Sequence, residues 1–271
     1  MIQKKVGNNL GFLLVILAGS TALKAERECV MSGQATIRSL TGLLHDLTDE
    51  EIQDLTESDN RRALKEHLLS CAIVRVQKMF TFLSDAQVPT AYRSTLSKYR
   101  VEARLQGVAD TTPLCYRVAK GFTLRGHAPK AGHCREDFRY LQNWDFVDEP
   151  TQDCLAFWIP RLVPGSTGKT VNEQKIHLAE FRQCLELPPH YCSNFGTASL
   201  LSGLILAHYK ATGEQVPLNG LWTRTDSCDA DGFRLGLGWD PGGLGGDGWR
   251  CDDGRYGHIG CFALGVETLG S

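Results

Sequence analysis

Apolar positions change their spacing three times along the chain. From residue 35 to 107 they recur at helical intervals. Thr48-Asp49-Glu50-Glu51 has the form of a capping box, in which a Thr and a Glu three apart satisfy each other's exposed amides. Ile52 and Leu55 follow in step. Residues 60–83 place Leu64, Leu68, Cys71, Val74 and Met79 on one stripe, the mark of an amphipathic helix. Pro89 interrupts, and 92–105 resume a charged amphipathic pattern. The pattern predicts a helical module over 26–107 whose role is packing.

Residues 108–137 lose this period and carry Gly121, Gly126, Pro129 and Gly132, which reads as a linker with Cys115 and Cys134 within it. Beyond it, Cys154-Leu155-Ala156-Phe157-Trp158-Ile159-Pro160 predicts a buried strand ended by proline. Residues 164–170 form a turn-rich connector, and 171–184 a helix with Ile176, Leu178 or Phe181 inward. Ser193-Asn194 can cap a second helix, rich in leucine and running to 212, with Gly213 as its stop. Strands are expected at 220–226, 233–240 and 261–267. In the middle one, Phe233, Leu235, Leu237 and Trp239 alternate with Arg234, Gly236, Gly238 and Asp240. Period two predicts one buried and one exposed face. The expected core is Trp222, Phe233, Leu235, Leu237, Trp239, Phe262 and Leu264. The fold class is therefore α+β: the helical module, then a domain over 138–271 with two helices packed on a small, mostly antiparallel twisted sheet.

The N-terminus sets the compartment. Lys4 and Lys5 precede the apolar run 10–18, and small residues follow around Ser20-Thr21-Ala22 and Ala25. That is the layout of a secretory signal peptide over 1–25, shorter than a membrane span ordinarily is, with an uncleaved anchor as the alternative. Its removal takes away three lysines and no acids, moving the net charge from −2 to −5. A mildly acidic mature chain argues against nucleic acid as the partner. All ten cysteines lie beyond residue 25, and an even number in an exported chain suggests disulfides of undetermined pairing.

Several motifs fall short of a chemistry. Gly165-Ser166-Thr167-Gly168-Lys169-Thr170 resembles a phosphate-binding loop, but Val163 stands where the motif needs glycine, so it reads as a turn. Cys192 beside His190, with His177, His208 or His258 elsewhere, lacks the surroundings of a known nucleophile. Asp226, Asp229, Asp231, Asp240, Asp247, Asp252 and Asp253 supply the oxygens calcium takes, without an ordering helix–loop–helix pattern. Cys251, Cys261 and His258 lack paired zinc-ligand spacing.

One resemblance gathers the C-terminal half. The residues that carry it are the helix ending Ala207-His208-Tyr209-Lys210-Ala211-Thr212-Gly213-Glu214, then Leu221-Trp222-Thr223-Arg224-Thr225-Asp226, then Arg234-Leu235 with its alternation, then Gly260-Cys261-Phe262-Ala263-Leu264-Gly265. Over 140–268 this order resembles the C-type-lectin-like fold, and more narrowly the variable proteins of diversity-generating retroelements. The resemblance implies a ligand-binding domain whose last strands and loops are rewritten at adenines and displayed on a stable scaffold. Scrambled asparagine codons yield Asp, Gly, Ser, Tyr, His, Arg and Cys among others, and 229–258 is loaded with several of these, above all Gly, Asp and Arg. The formylglycine-generating enzymes share the broad fold, and Asp231-Gly232-Phe233-Arg234 echoes them. Cys251 and Cys261, ten apart, lack their flanking residues.

The expectation is thus an exported binder rather than an enzyme, with a secreted enzyme of the formylglycine-generating type or a Cys/His hydrolase as the alternative. Its expected face is Asp229, Asp231, Arg234, Gly236, Gly238, Asp240, Asp247, Trp249, Arg250, Asp252, Arg255, Tyr256 and His258. Binding residues commonly sit on irregular segments held by a scaffold. Anchors of Arg and aromatic type beside short polar residues suit a protein or glycan partner on another cell or a phage surface. No cofactor is expected, calcium being the one metal the acids suit.

Overall fold

The computed structural model describes residues 58–269. The expected signal peptide and the capping box at 48–51 lie outside the described residues. The chain divides into two compact units, 1–67 and 68–271. In the first, only the start of helix α1 (Ser58–Gln77) is described, where Arg62 Nε donates to Glu66 Oε1 at 3.1 Å. The second unit holds every other described element. Among the described residues no helix is long and apolar enough to cross a membrane.

The unit is α+β, with two four-stranded sheets. The first has the order β1-β2-β3-β8 and is antiparallel throughout. Its strands are β1 (Phe80–Phe82), β2 (Cys115–Val118), β3 (Cys154–Leu162) and β8 (Phe262–Thr268). The second has the order β6-β5-β4-β7, from β4 (Trp222–Cys228), β5 (Arg234–Asp240), β6 (Gly243–Arg250) and β7 (Ile259–Gly260). Its one parallel pair is β4 with β7. Helix α2 (Arg93–Leu105) precedes β2, and the short α3 (Ala128–Ala131) follows it. Helices α4 (Val171–Cys184) and α5 (Ala198–Thr212) join the two sheets in sequence.

Strand β3 explains why 154–160 is apolar without alternation. Ala156 and Trp158 face a core shared with α5, Leu235, Leu237 and Phe262. Leu155, Phe157 and Ile159 face a second core holding Leu96, Tyr99, Leu178 and Tyr191. A strand covered on both faces has no polar face to show. Truncating Phe157, fully buried, would cost about 3–5 kcal/mol. Pro160 does not end the strand. It lies where the β3–β8 register shifts, between Trp158 and Leu162, a position that spares the ladder an amide.

Helix α5 is apolar on all sides and buried from Ala198 to Leu206, as a helix between layers should be. Its cap is Thr197, whose side chain accepts from Leu200 N, rather than the expected Ser193-Asn194. Gly213 ends it with φ 75°, the left-handed stop that glycine adopts at no cost.

Several expectations require correction. Residues 108–137 are not a linker: β2 is an inner strand of the first sheet, and Cys134 makes a parallel bridge to Leu244 of β6. The helix before them stops at Gln77, with Val74 exposed and Val76 buried, so the stripe drawn over 60–83 is not the packed one. On α4, Leu178 is buried while Ile176 is 53% exposed.

Candidate functional site

The second sheet presents the region expected to bind. Its inner strand β5 is buried on both faces. Leu235 and Leu237 enter the core as expected, but Phe233 lies before the strand and is exposed. On the face expected to be open, Trp222 of β4 covers β5. A Cβ added at Gly238 would stand 2.5 Å from Trp222 Cδ2, closer than real contacts allow. Gly236 pairs with Arg224 on one side and Asp247 on the other. Arg234, Gly236 and Gly238 therefore hold the sheet together rather than face solvent.

Arg234 does so by charge. Its Nε and Nη2 donate to the two oxygens of Asp252 at 3.0 and 2.9 Å, and Nη1 donates to Asp226 O at 3.1 Å. A planar fork on a carboxylate is the strong form of ion pair. This bond holds the Asp252 carboxyl below its usual range. Asp226, whose Oδ2 accepts from Gly196 N at 2.8 Å, is pushed the other way by burial.

Beside it lies Arg224, fully buried. Its Nε donates to Gln174 Oε1 at 2.8 Å, Nη2 is 3.5 Å from Lys169 O, and Nη1 has no partner among the described residues. Burial lowers its pKa, since desolvation penalises the charged form. Gln174, also fully buried, donates through Nε2 to Ser166 O at 2.9 Å and Ile259 O at 3.1 Å. One side chain on α4 thus ties the 164–170 connector to β7 and β4.

The same connector anchors the loop 251–258. Gly168 N donates to Tyr256 O at 3.0 Å and Val171 N to Asp252 O at 2.9 Å. Arg255 pairs with Glu173, which caps α4 by accepting from Thr170 N at 2.9 Å. Hydrogen bonds from Thr170 hold the Glu173 carboxyl down, with Arg255 adding to them. The Arg224 guanidinium lies 6.0 Å from the Tyr256 ring centroid, and Cys251 Sγ is 3.4 Å from Tyr256 Oη. The stretch that resembled a phosphate loop is the left-handed turn (Gly165 φ 74°, Gly168 φ 68°) that sets this anchor.

The remaining expected residues fall into three groups. Asp229 Oδ1 accepts from Asp231 N at 3.0 Å and Phe233 N at 2.8 Å, shaping the turn before β5. Asp240 accepts from Arg135 Nη1 at 2.8 Å and closes the hairpin by accepting from Gly242 N at 2.8 Å. Asp231, Arg255 and His258 are exposed, and Asp252 and Tyr256 are half-buried. Asp247, half-buried, and Trp249 and Arg250 belong to β6, where Arg250 pairs with Arg234. Sequence reasoning missed Arg224, Gln174 and Glu173. An arginine inside the strand-forming run Trp-Thr-Arg-Thr was the available signal for the first.

The acids do not converge: among the described residues no three His, Cys, Asp or Glu side chains stand together as a metal site. Burial raises the Cys192 thiol to about 11 and the Cys261 thiol to about 12. The polar neighbour of Cys192 Sγ is Tyr99 Oη at 3.8 Å, while His190 Nε2 pairs with Glu267 at 3.1 Å. A thiol in that state is protonated at neutral pH and is a poor nucleophile. No family model, curated protein or solved structure matches this chain.

Proposed function

We propose that the chain is an exported ligand-binding protein whose C-terminal half is a C-type-lectin-like module, related to the variable proteins of diversity-generating retroelements. The topology supports this reading. The first and last strands of 154–268, β3 and β8, pair antiparallel, so the module is closed at its base. Two helices and a second sheet lie between them. Export with disulfide formation belongs to the same reading.

The observation that carries the binding role is the loop 251–258. Its anchors are buried or paired, while Cys251, Asp253, Arg255, Gly257 and His258 are exposed. A loop fixed by Arg234–Asp252, Gly168–Tyr256 and Gln174–Ile259 displays side chains that need little further ordering on binding, which favours affinity. The recognition surface is therefore this loop with Asp231 and Phe233, and the glycines of β5 are its support. Its partner is a polar protein or glycan on another cell or a phage surface.

Replacing Asp231, Asp253 and His258 together by Asn or Ser, with the Arg255–Glu173 pair left in place, tests this. Circular dichroism should show an unchanged fold. Capture of surface proteins or glycans from co-occurring cells should be lost, because few anchors carry most of an interface's energy. Capture that survives unchanged overturns the assignment. A near-copy of the DNA for 229–258, differing at adenines and beside a reverse-transcriptase gene, is the independent check on the retroelement relation.

A further inference from the structure

A second site is built where the end of α1, the edge strand β1 and helix α5 meet. They leave a cleft of about 330 Å³, within the range of roughly 300–1,000 Å³ that small-ligand pockets occupy. Its helix wall is low by composition: Gly203, Ala207 and Ala211 recur every four residues and share one side of α5. The opposite wall is aromatic. Phe80 lies so close over Gly203 that an added Cβ would stand 2.0 Å from its Cζ, and Phe82 is 52% exposed.

Charge at the cleft is of one sign. Lys78 and Lys210 line it and are exposed. Neither has a carboxylate partner among the described residues; Lys210 Nζ donates to the neutral Gln77. Two cations beside a trough of small and aromatic side chains complement a molecule with an apolar body and an anionic end. None of the lining residues belongs to 229–258.

We propose that this cleft binds an amphipathic monocarboxylate of medium chain length. The aliphatic chain lies between Phe82 and the Ala207–Ala211 side of α5, and the carboxylate meets Lys78 and Lys210.

Titration calorimetry of the full chain with decanoate, decanol and decylammonium tests this. Decanoate should bind saturably and about fivefold more tightly than decanol, the preference an exposed ion pair supplies. K78Q/K210Q should abolish the preference while retaining weak decanol binding. Ala211→Phe, at an exposed position, should leave the thermal melt unchanged and weaken decanoate about tenfold or more by filling the trough. Three results would each overturn the site: no saturable decanoate binding to folded protein, equal or tighter binding of decylammonium, or unchanged binding by A211F. Capture of a surface partner through 251–258 is a separate readout, so each assignment can fail alone.

Discussion

The indole of Trp222 occupies the space that a side chain at Gly238 would need, 2.5 Å from an ideal Cβ. The pair joins β4 to β5 at a directly opposed position, so the face of β5 that reads as open is filled from the neighbouring strand.

Gly238→Ser should therefore destabilise by about 1–3 kcal/mol, as overpacking does, instead of the ~0.5 kcal/mol of a surface change. Trp222→Ala in the same chain should recover part of that loss. Urea unfolding of the two single variants and the double variant measures the coupling, and strict additivity would show that the indole is not the obstacle.

Gln174 is the second point of leverage. Gln174→Leu keeps the volume but leaves the carbonyls of Ser166 and Ile259 and the Nε of Arg224 without their partner. Each buried unsatisfied group costs about 1–3 kcal/mol, and relaxation should hold the total near ~3 kcal/mol. Hydrogen exchange should quicken at the Gly168 and Ile259 amides before it does in β3. Unchanged protection there would refute the role given to this side chain.

Acid should loosen the 251–258 loop through Asp252. Its folded pKa is depressed by Arg234. The bond's contribution is present above the unfolded value of about 3.9 and is lost as pH falls through the folded one. Asp226, raised by burial, acts in the opposite sense, because protonation relieves its desolvation. The stability difference between the parent and Asp252→Asn should thus shrink as pH falls below about 4. A difference that is constant from pH 7 to 3 would mean that the carboxylate's charge is not what Arg234 requires.

Thiol accessibility offers a fourth check. In reduced protein, alkylation should reach Cys184 and Cys251, which are exposed, and spare Cys115, Cys134, Cys154, Cys192 and Cys261, which are buried. Burial holds Cys115, Cys134 and Cys154 at about 12 as well, so little thiolate is present to react. Mass spectrometry before and after denaturation reads the pattern. Rapid labelling of Cys192 in the folded state would contradict the packing around Tyr99.

Spacing along the chain was enough to find α4, α5, β3, β4, β5 and β8, because each carries its period or its unbroken apolar run in its own residues. The apolar residues Leu235, Leu237 and Trp239 sit in the core where period two puts them. Strand β6 was hidden, since Gly243, Gly245, Gly246 and Gly248 have no side chains with which to mark a face. The turn residues Asp240-Pro241-Gly242-Gly243 before it were the one local sign of a hairpin.

What lies across the strand from a residue is not written in its neighbours along the chain. Alternation shows that Gly238 and Leu237 point opposite ways, but only the β4–β5 register puts Trp222 over Gly238. The same holds for charge. Arg234 lies 18 residues from Asp252 in sequence, and Arg224 lies 50 from Gln174. Folding brings each pair together, leaves the loop 251–258 exposed, and makes support out of residues whose composition alone resembles a binding surface.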